Sequence, residues 1–205
     1  MPTCKELGIP KRLWKRGQSD KPTFNNGEEL LFRWYPTNTK LAPDGKIPES
    51  ALGSVFKHPA DISCNRSSLC WYSTDVLYKI TELPQNRFNC GVIETSVSKV
   101  NGYSFVCSYE QDGKTHVVKI DLRLKHDPEE CMYPHTVIEC YKDGVLIDED
   151  EIKPKNFRKA MRQNLAPLFN VSHYADPNFV PPRETKWQYF VATVEPAIKK
   201  ILIIS

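Results

Sequence analysis

The sequence predicts an α+β fold, mainly antiparallel sheet built from β-hairpins, with one clear amphipathic helix at about 154–169 and a shorter one at about 74–82. Three observations carry this. Val117, Lys119, Asp121 and Arg123 alternate with Val118, Ile120, Leu122 and Leu124, a period of two that gives a strand one wet and one buried face. Two Asp-Gly steps, Asp112-Gly113 and Asp143-Gly144, interrupt apolar runs, and this dipeptide suits the two-residue hairpin turn. Phe157, Met161, Leu165 and Leu168 recur at i, i+4, i+8 and i+11, the stripe of a helix with one apolar side.

Taken in order, residues 1–28 read as a basic arm, punctuated by Pro2, Pro10, Pro22 and Gly27 and anchored only by Leu13, Trp14 and Phe24. Residues 29–205 read as a single domain. Its first strand is 30–35, stopped by Pro36, and Asp44-Gly45 marks a turn. A short strand is expected at 61–65. Ser73 or Thr74 would cap the helix through Val76, Leu77 and Ile80, ended by Pro84. Strands follow at 92–100, 103–109, 115–124, 136–141 and 145–147. Pro154 sits where a first helical turn tolerates proline, and Asp148 to Glu151 would complement the positive helix end. Prolines 167, 177, 181 and 182 open a long loop before closing strands at 187–194 and 198–204.

Composition bounds the class. A 205-residue chain with 40% apolar and 26% charged residues can bury a core without a metal or a disulfide framework. The net charge of +3 falls short of a dedicated nucleic-acid binder, yet Lys5, Lys11, Arg12, Lys15, Arg16 and Lys21 crowd the first 21 residues. Seven cysteines form no CxxC pair, and Cys64, Cys90, Cys107 and Cys140 lie in strand-like runs as small buried hydrophobes. That usage points to free thiols in a reducing, cytoplasmic compartment. The first residues lack the apolar core of a secretory signal, and the longest apolar stretch, Ile201 to Ile204, is far below the roughly 20 residues that cross a bilayer. No membrane partner is expected.

Four groups of residues could carry function. Arg33 within an apolar strand needs a carboxylate, a phosphate or solvent. With Ser63, Asn65, Arg66 and His135 it could line a nucleotide-handling cleft. The bland alternative is an ion pair for Arg33 and turn bonds for Ser63 and Asn65. Ser63 or Cys64 could act as a nucleophile with His135 as base, although there is no Gly-x-Ser-x-Gly elbow and no Gly-rich phosphate loop. The sets His58, Cys64, Cys70 and Cys131, His135, Cys140 lack the tight pairs that zinc favours, so neither a metal nor another cofactor is expected. Finally, Lys11, Arg12, Trp14, Lys15 and Arg16, together with Lys155, Arg158, Lys159 and Arg162, could follow a phosphate backbone.

Two resemblances bear on these residues. Arg33, followed by Ser63 or Thr95-Ser96 and by Glu149-x-Glu151, resembles the arginine, serine motif and Glu-x-Glu of the ADP-ribosyltransferases. That likeness implies an arginine gripping dinucleotide phosphates and a second glutamate holding a ribose hydroxyl. Leu31-Phe32-Arg33, Asp44-Gly45, Ile62 to Arg66, Gly91-Val92 and His135 to Ile138 are similar to landmarks of a family of small, uncharacterised bacterial proteins, over residues 30–165. It implies a bacterial, intracellular protein and no particular activity. The expected function is therefore a binding protein that docks on nucleic acid or another protein through its basic arm and helix. The alternative is a small nucleotide-processing enzyme with a cleft around Arg33, Ser63, Arg66 and His135. Convergence of those side chains would favour the enzyme; alignment of the two basic patches would favour the binder.

Overall fold

A computed structural model of the protein describes residues 3–15, 23–34, 46–52, 61–78, 90–148, 150–176 and 178–181. Among the described residues eight strands, β1 (Glu29–Trp34), β2 (Asp61–Arg66), β3 (Gly91–Ser96), β4 (Ser104–Gln111), β5 (Lys114–His126), β6 (His135–Lys142), β7 (Val145–Leu146) and β8 (Asn170–His173), join one sheet, an open half-barrel. Its order is β4-β5-β6-β2-β1-β3-β8, with β7 paired to the end of β6, and every pairing is antiparallel. The two expected hairpins form. Asp112 and Gly113 take φ of 51° and 72°, and Asp143 and Gly144 take 52° and 83°. Positive φ at both central positions is what a turn matched to strand twist requires, and Asp-Gly supplies it at low cost.

Helix α2 (Lys155–Leu165) lies on the concave face with Phe157, Ala160, Met161 and Leu165 inward. They pack with Phe32 and Trp34 of β1, Ile62 and Cys64 of β2, Phe105 and Cys107 of β4, Ile120 and Leu122 of β5, and Ile138 and Cys140 of β6. The cysteines expected in strands therefore do serve as core residues. The opposite face is divided. Around β4 and β5 it is open and polar, but over β1 and β3 it is covered: Leu31 and Val92 pack with Val76, Leu77 and Cys90.

Two expectations change. The segment proposed as a helix at 74–82 is, within the described residues, a 3-10 turn, Ser73–Leu77; residues 79–82 lie outside them. Asp75 fixes where the turn starts, because its carboxylate accepts the N–H groups of Trp71 and of the N-cap residue Tyr72. The strand expected through 92–100 stops at Ser96. Val97 donates its N–H to the Glu28 carbonyl and a single helical turn, α1 (Val97–Val100), buries Val97 and Val100. The closing strands expected at 187–194 and 198–204 lie outside the described residues.

The N-terminal residues are the largest departure. Within residues 3–15, Ile9 and Leu13 are buried with Tyr78, Cys131 and Met132, and Leu7 and Trp14 pack on that cluster. The main chain is tied as well: Lys15 donates to the Glu130 carbonyl and Tyr133 to the Leu13 carbonyl. Cys4 and Cys131, 127 residues apart, form a disulfide with a Cα–Cα distance of 5.3 Å. Two of the seven cysteines are thus bonded and five are free, among them Cys64, Cys90, Cys107 and Cys140, which the sequence marks as buried hydrophobes. Among the described residues no helix is long and apolar enough to cross a membrane.

Candidate functional site

Register places the sequence-predicted site residues on the two faces of the sheet. Leu31 lies opposite Asn65, Asn65 opposite His135 and Ser63 opposite Val137. Cross-strand partners share a face and successive residues alternate between faces. Arg33, Ser63, Asn65 and His135 therefore share the face away from α2. Arg66, opposite Leu30, belongs to the other. Cys64 is also on that inner face, fully buried, and burial pushes its thiol far up, so it cannot act as the nucleophile.

Ser63 and His135 meet. Ser63 Oγ is 2.8 Å from His135 Nε2, a diagonal contact between β2 and β6. His135 Nδ1 is 2.6 Å from the backbone carbonyl of Asp127. A carbonyl can only accept, so Nδ1 carries the proton, and in the neutral ring Nε2 is left as an acceptor for the serine hydroxyl. The carboxylates of Asp127 and Glu129 lie 3.7 and 4.0 Å from Nδ1. Ser63 is exposed, whereas the His135 side chain is only 12% exposed, so a mostly buried base addresses a hydroxyl open to solvent.

Asp61 and Glu139, opposite one another in the same face, extend this acidic surround. Burial raises the Asp61 carboxyl above its ordinary value; His135 and Lys125 oppose the rise, and Asp127 and Glu139 add to it. Asn65, two residues beyond Ser63, donates its amide to Met132 Sδ at 3.1 Å. The sequence reading did not single out Asp127 or Glu129. Their signal was the short acidic connection between two strands, immediately before the histidine.

Two arginines nominated for sites are placed in buried ion pairs. Arg66 donates twice to the Glu28 carboxylate, each at 2.8 Å, and once to the Thr23 carbonyl, and its guanidinium sits 4.2 Å from the Phe24 ring centroid. Arg12 pairs with Asp75 at 2.6 Å among the rings of Trp71, Tyr72 and Tyr78. Trp14 donates its indole N–H to the Ile9 carbonyl, and Arg162 pairs with Glu49 at 2.9 Å. Lys11, Lys15, Lys155 and Lys159 are exposed and Arg158 is partly buried; Arg16 lies outside the described residues. The lysines form two separate groups. Residues 3–15 join the layer that covers β1 and β3 from outside, while α2 lies on the inner face.

The remaining candidates scatter. Glu151 pairs with Lys142 at the far end of β6, and Glu149 lies outside the described residues. Thr95 is buried in β3, and Ser96 shares a hydrogen bond with Ser98. His58 lies outside the described residues, Cys131 is in the disulfide, and among the described residues no three His, Cys, Asp or Glu side chains gather as a metal site. No protein family, curated protein or solved structure matches this chain.

Proposed function

We propose that this chain is a small enzyme that cleaves an ester or related acyl bond, with Ser63 as nucleophile and His135 as general base. The observation that carries the reading is the relay of Asp127 carbonyl, His135 and Ser63, in which one ring nitrogen is fixed as donor and the other is presented to an exposed hydroxyl. In the reaction Oγ bonds to the carbonyl carbon as its proton passes to Nε2. The imidazolium then returns that proton to the leaving group, and water repeats the sequence to release the acid. Positioned general-base help of this kind is worth about 10²- to 10⁴-fold. Asp61, Asp127, Glu129 and Glu139 repel polyanions, which favours a neutral or cationic acyl group over a nucleotide phosphate. Five free cysteines favour a reducing, cytoplasmic setting, and the Cys4–Cys131 disulfide weighs against it.

A fluorophosphonate probe and a series of p-nitrophenyl esters test the proposal. Labelling should map to Ser63 and disappear in Ser63→Ala and His135→Gln. Equal labelling of wild type and Ser63→Ala would refute it.

A second reading, docking on nucleic acid or another protein, keeps support from exposed Lys155 and Lys159 on α2 and exposed Lys11 and Lys15. Arg12 and Arg162 are spent on internal ion pairs, so each patch is weaker than the sequence suggests. A salt titration of binding to generic RNA decides this reading, which fails if nothing binds at about 50 mM salt.

A further inference from the structure

The connection between β5 and β6, residues 127–134, holds the groups that face Nδ1 of the His135 ring. Its first residue offers the carbonyl to Nδ1, and Glu129 adds the second carboxylate. Within itself the connection is lightly tied. Glu129 and Met132 exchange backbone bonds, Asp127 donates to the His135 carbonyl, and His135 donates to the Met132 carbonyl. Its anchorage comes from Tyr78, from β2, where Arg66 donates its N–H to the Pro134 carbonyl and Asn65 its amide to Met132 Sδ, and from residues 4–15. Lys15 and Leu13 each share one main-chain bond with it, Ile9 and Leu13 pack on Cys131 and Met132, and Cys4 is bonded to Cys131, four residues before the histidine.

We infer that the Cys4–Cys131 disulfide is a redox-sensitive strap that holds the β5–β6 connection, and with it the His135 ring, in the geometry that faces Ser63. A dithiol reductant opens it: two electrons and two protons convert Cys4 and Cys131 to thiols, and the reductant leaves as its own disulfide. In the reduced form the connection keeps its main-chain bonds to Lys15, Leu13 and Arg66, the Asn65–Met132 contact and a small apolar cluster, and the Asp127 carbonyl is held near Nδ1 by the Asp127 N–H bond to the His135 carbonyl rather than by the strap. The other cysteines are poor substitutes for exchange. Cys64 and Cys140 are fully buried with thiols pushed far up by burial, burial raises Cys70, and Cys107 is pushed up to about 11.

The activity arm of this inference rests on the proposed function, and the spectroscopic arm does not. Alkylation of the full chain under denaturing, non-reducing conditions should block five thiols in the oxidised protein and seven after dithiothreitol. Nitrogen-15 spectra of the His135 ring should report one Nδ1–H tautomer in the oxidised form and an averaged ring in the reduced form. Cys4→Ser should match the reduced form without reductant. Ester cleavage should fall about ten- to a hundred-fold on reduction, the scale of a misplaced catalytic group. A redox-dependent ring with no esterase activity in either state would uphold the strap and sink the catalytic assignment. Esterase activity and ring spectra unchanged by reduction would overturn the strap alone. Seven alkylated thiols in untreated protein would also overturn it, as would global unfolding on reduction, because a switch requires the fold to persist.

Discussion

Replacing Arg66 by alanine should unfold the protein more readily and should not act through turnover. The guanidinium and the Glu28 carboxylate are side chains only 2% and 1% exposed, joined by two bonds of 2.8 Å. Burial works against the Glu28 charge, but Arg66 and Ser68, with the Asn25 N–H, hold its carboxyl below the ordinary value. Truncating Arg66 leaves that carboxylate buried without its countercharge, which costs about 3–5 kcal/mol. At roughly 2–4 °C per kcal/mol for a chain of this size, Tm should drop by about 10 °C. The companion double variant, Glu28→Leu with Arg66→Met, removes both charges. It leaves the Asn25 N–H, the Thr23 carbonyl and the Ser68 hydroxyl short of partners, about 2 kcal/mol in all. Urea unfolding followed by circular dichroism measures both. A Glu28 carboxyl depressed in the folded state contributes stability above the ordinary carboxylate range and loses it as pH falls, so Arg66→Ala should also flatten the acid limb of the stability curve. A loss below about 1 kcal/mol for Arg66→Ala, or a double variant worse than the single, would refute the buried-pair argument.

Three other outcomes are expected. Gly91→Ala should cost about 1–3 kcal/mol by urea unfolding, because a Cβ there would stand 2.2 Å from Trp34 Nε1 against a packed ring; a neutral result would show that the ring can shift. His126 is buried, with both ring nitrogens lacking a hydrogen-bond partner, and burial, Arg66 and His135 lower its pKa while Asp127 and Glu28 oppose the change. A depressed histidine means that the unfolded chain binds the extra proton first. Stability should then decline as pH drops below the ordinary histidine value, and His126→Phe should remove part of that slope in thermal melts at stepped pH. Ser63→Ala should change stability by no more than about 0.5 kcal/mol, since the hydroxyl is exposed; a larger loss in chemical denaturation would reassign Ser63 to a structural role.

How far the site could be read from the sequence differs residue by residue. Ser63 and His135 both stand out in the sequence, one at a strand end and the other after Pro134, but they are 72 residues apart. Their contact exists because β2 lies beside β6, although β3, β4 and β5 intervene in the chain. Arg66 was read as a cleft cation and Arg12 as part of a basic patch, because an arginine looks the same in sequence whether it meets a ligand, solvent or a buried acid. Glu28 and Asp75, their partners, lie 38 and 63 residues away. The basic arm misled for a related reason. Ile9 and Leu13 are too few to announce a core segment, yet they suffice once Tyr78, Cys131 and Met132 supply the other half of the cluster.

Local sequence by itself determined the periodic elements: β5 from its alternation, both hairpin turns from Asp-Gly, and α2 from its stripe, since each depends on side-chain period or on φ preferences within a few residues. Tertiary structure alone decided the strand order, the face each polar side chain occupies, the Cys4–Cys131 link and the meeting of Ser63 with His135. Those depend on which distant segments come to lie side by side. That choice is set by burying the apolar faces of the whole chain at once, and no short window of residues contains it.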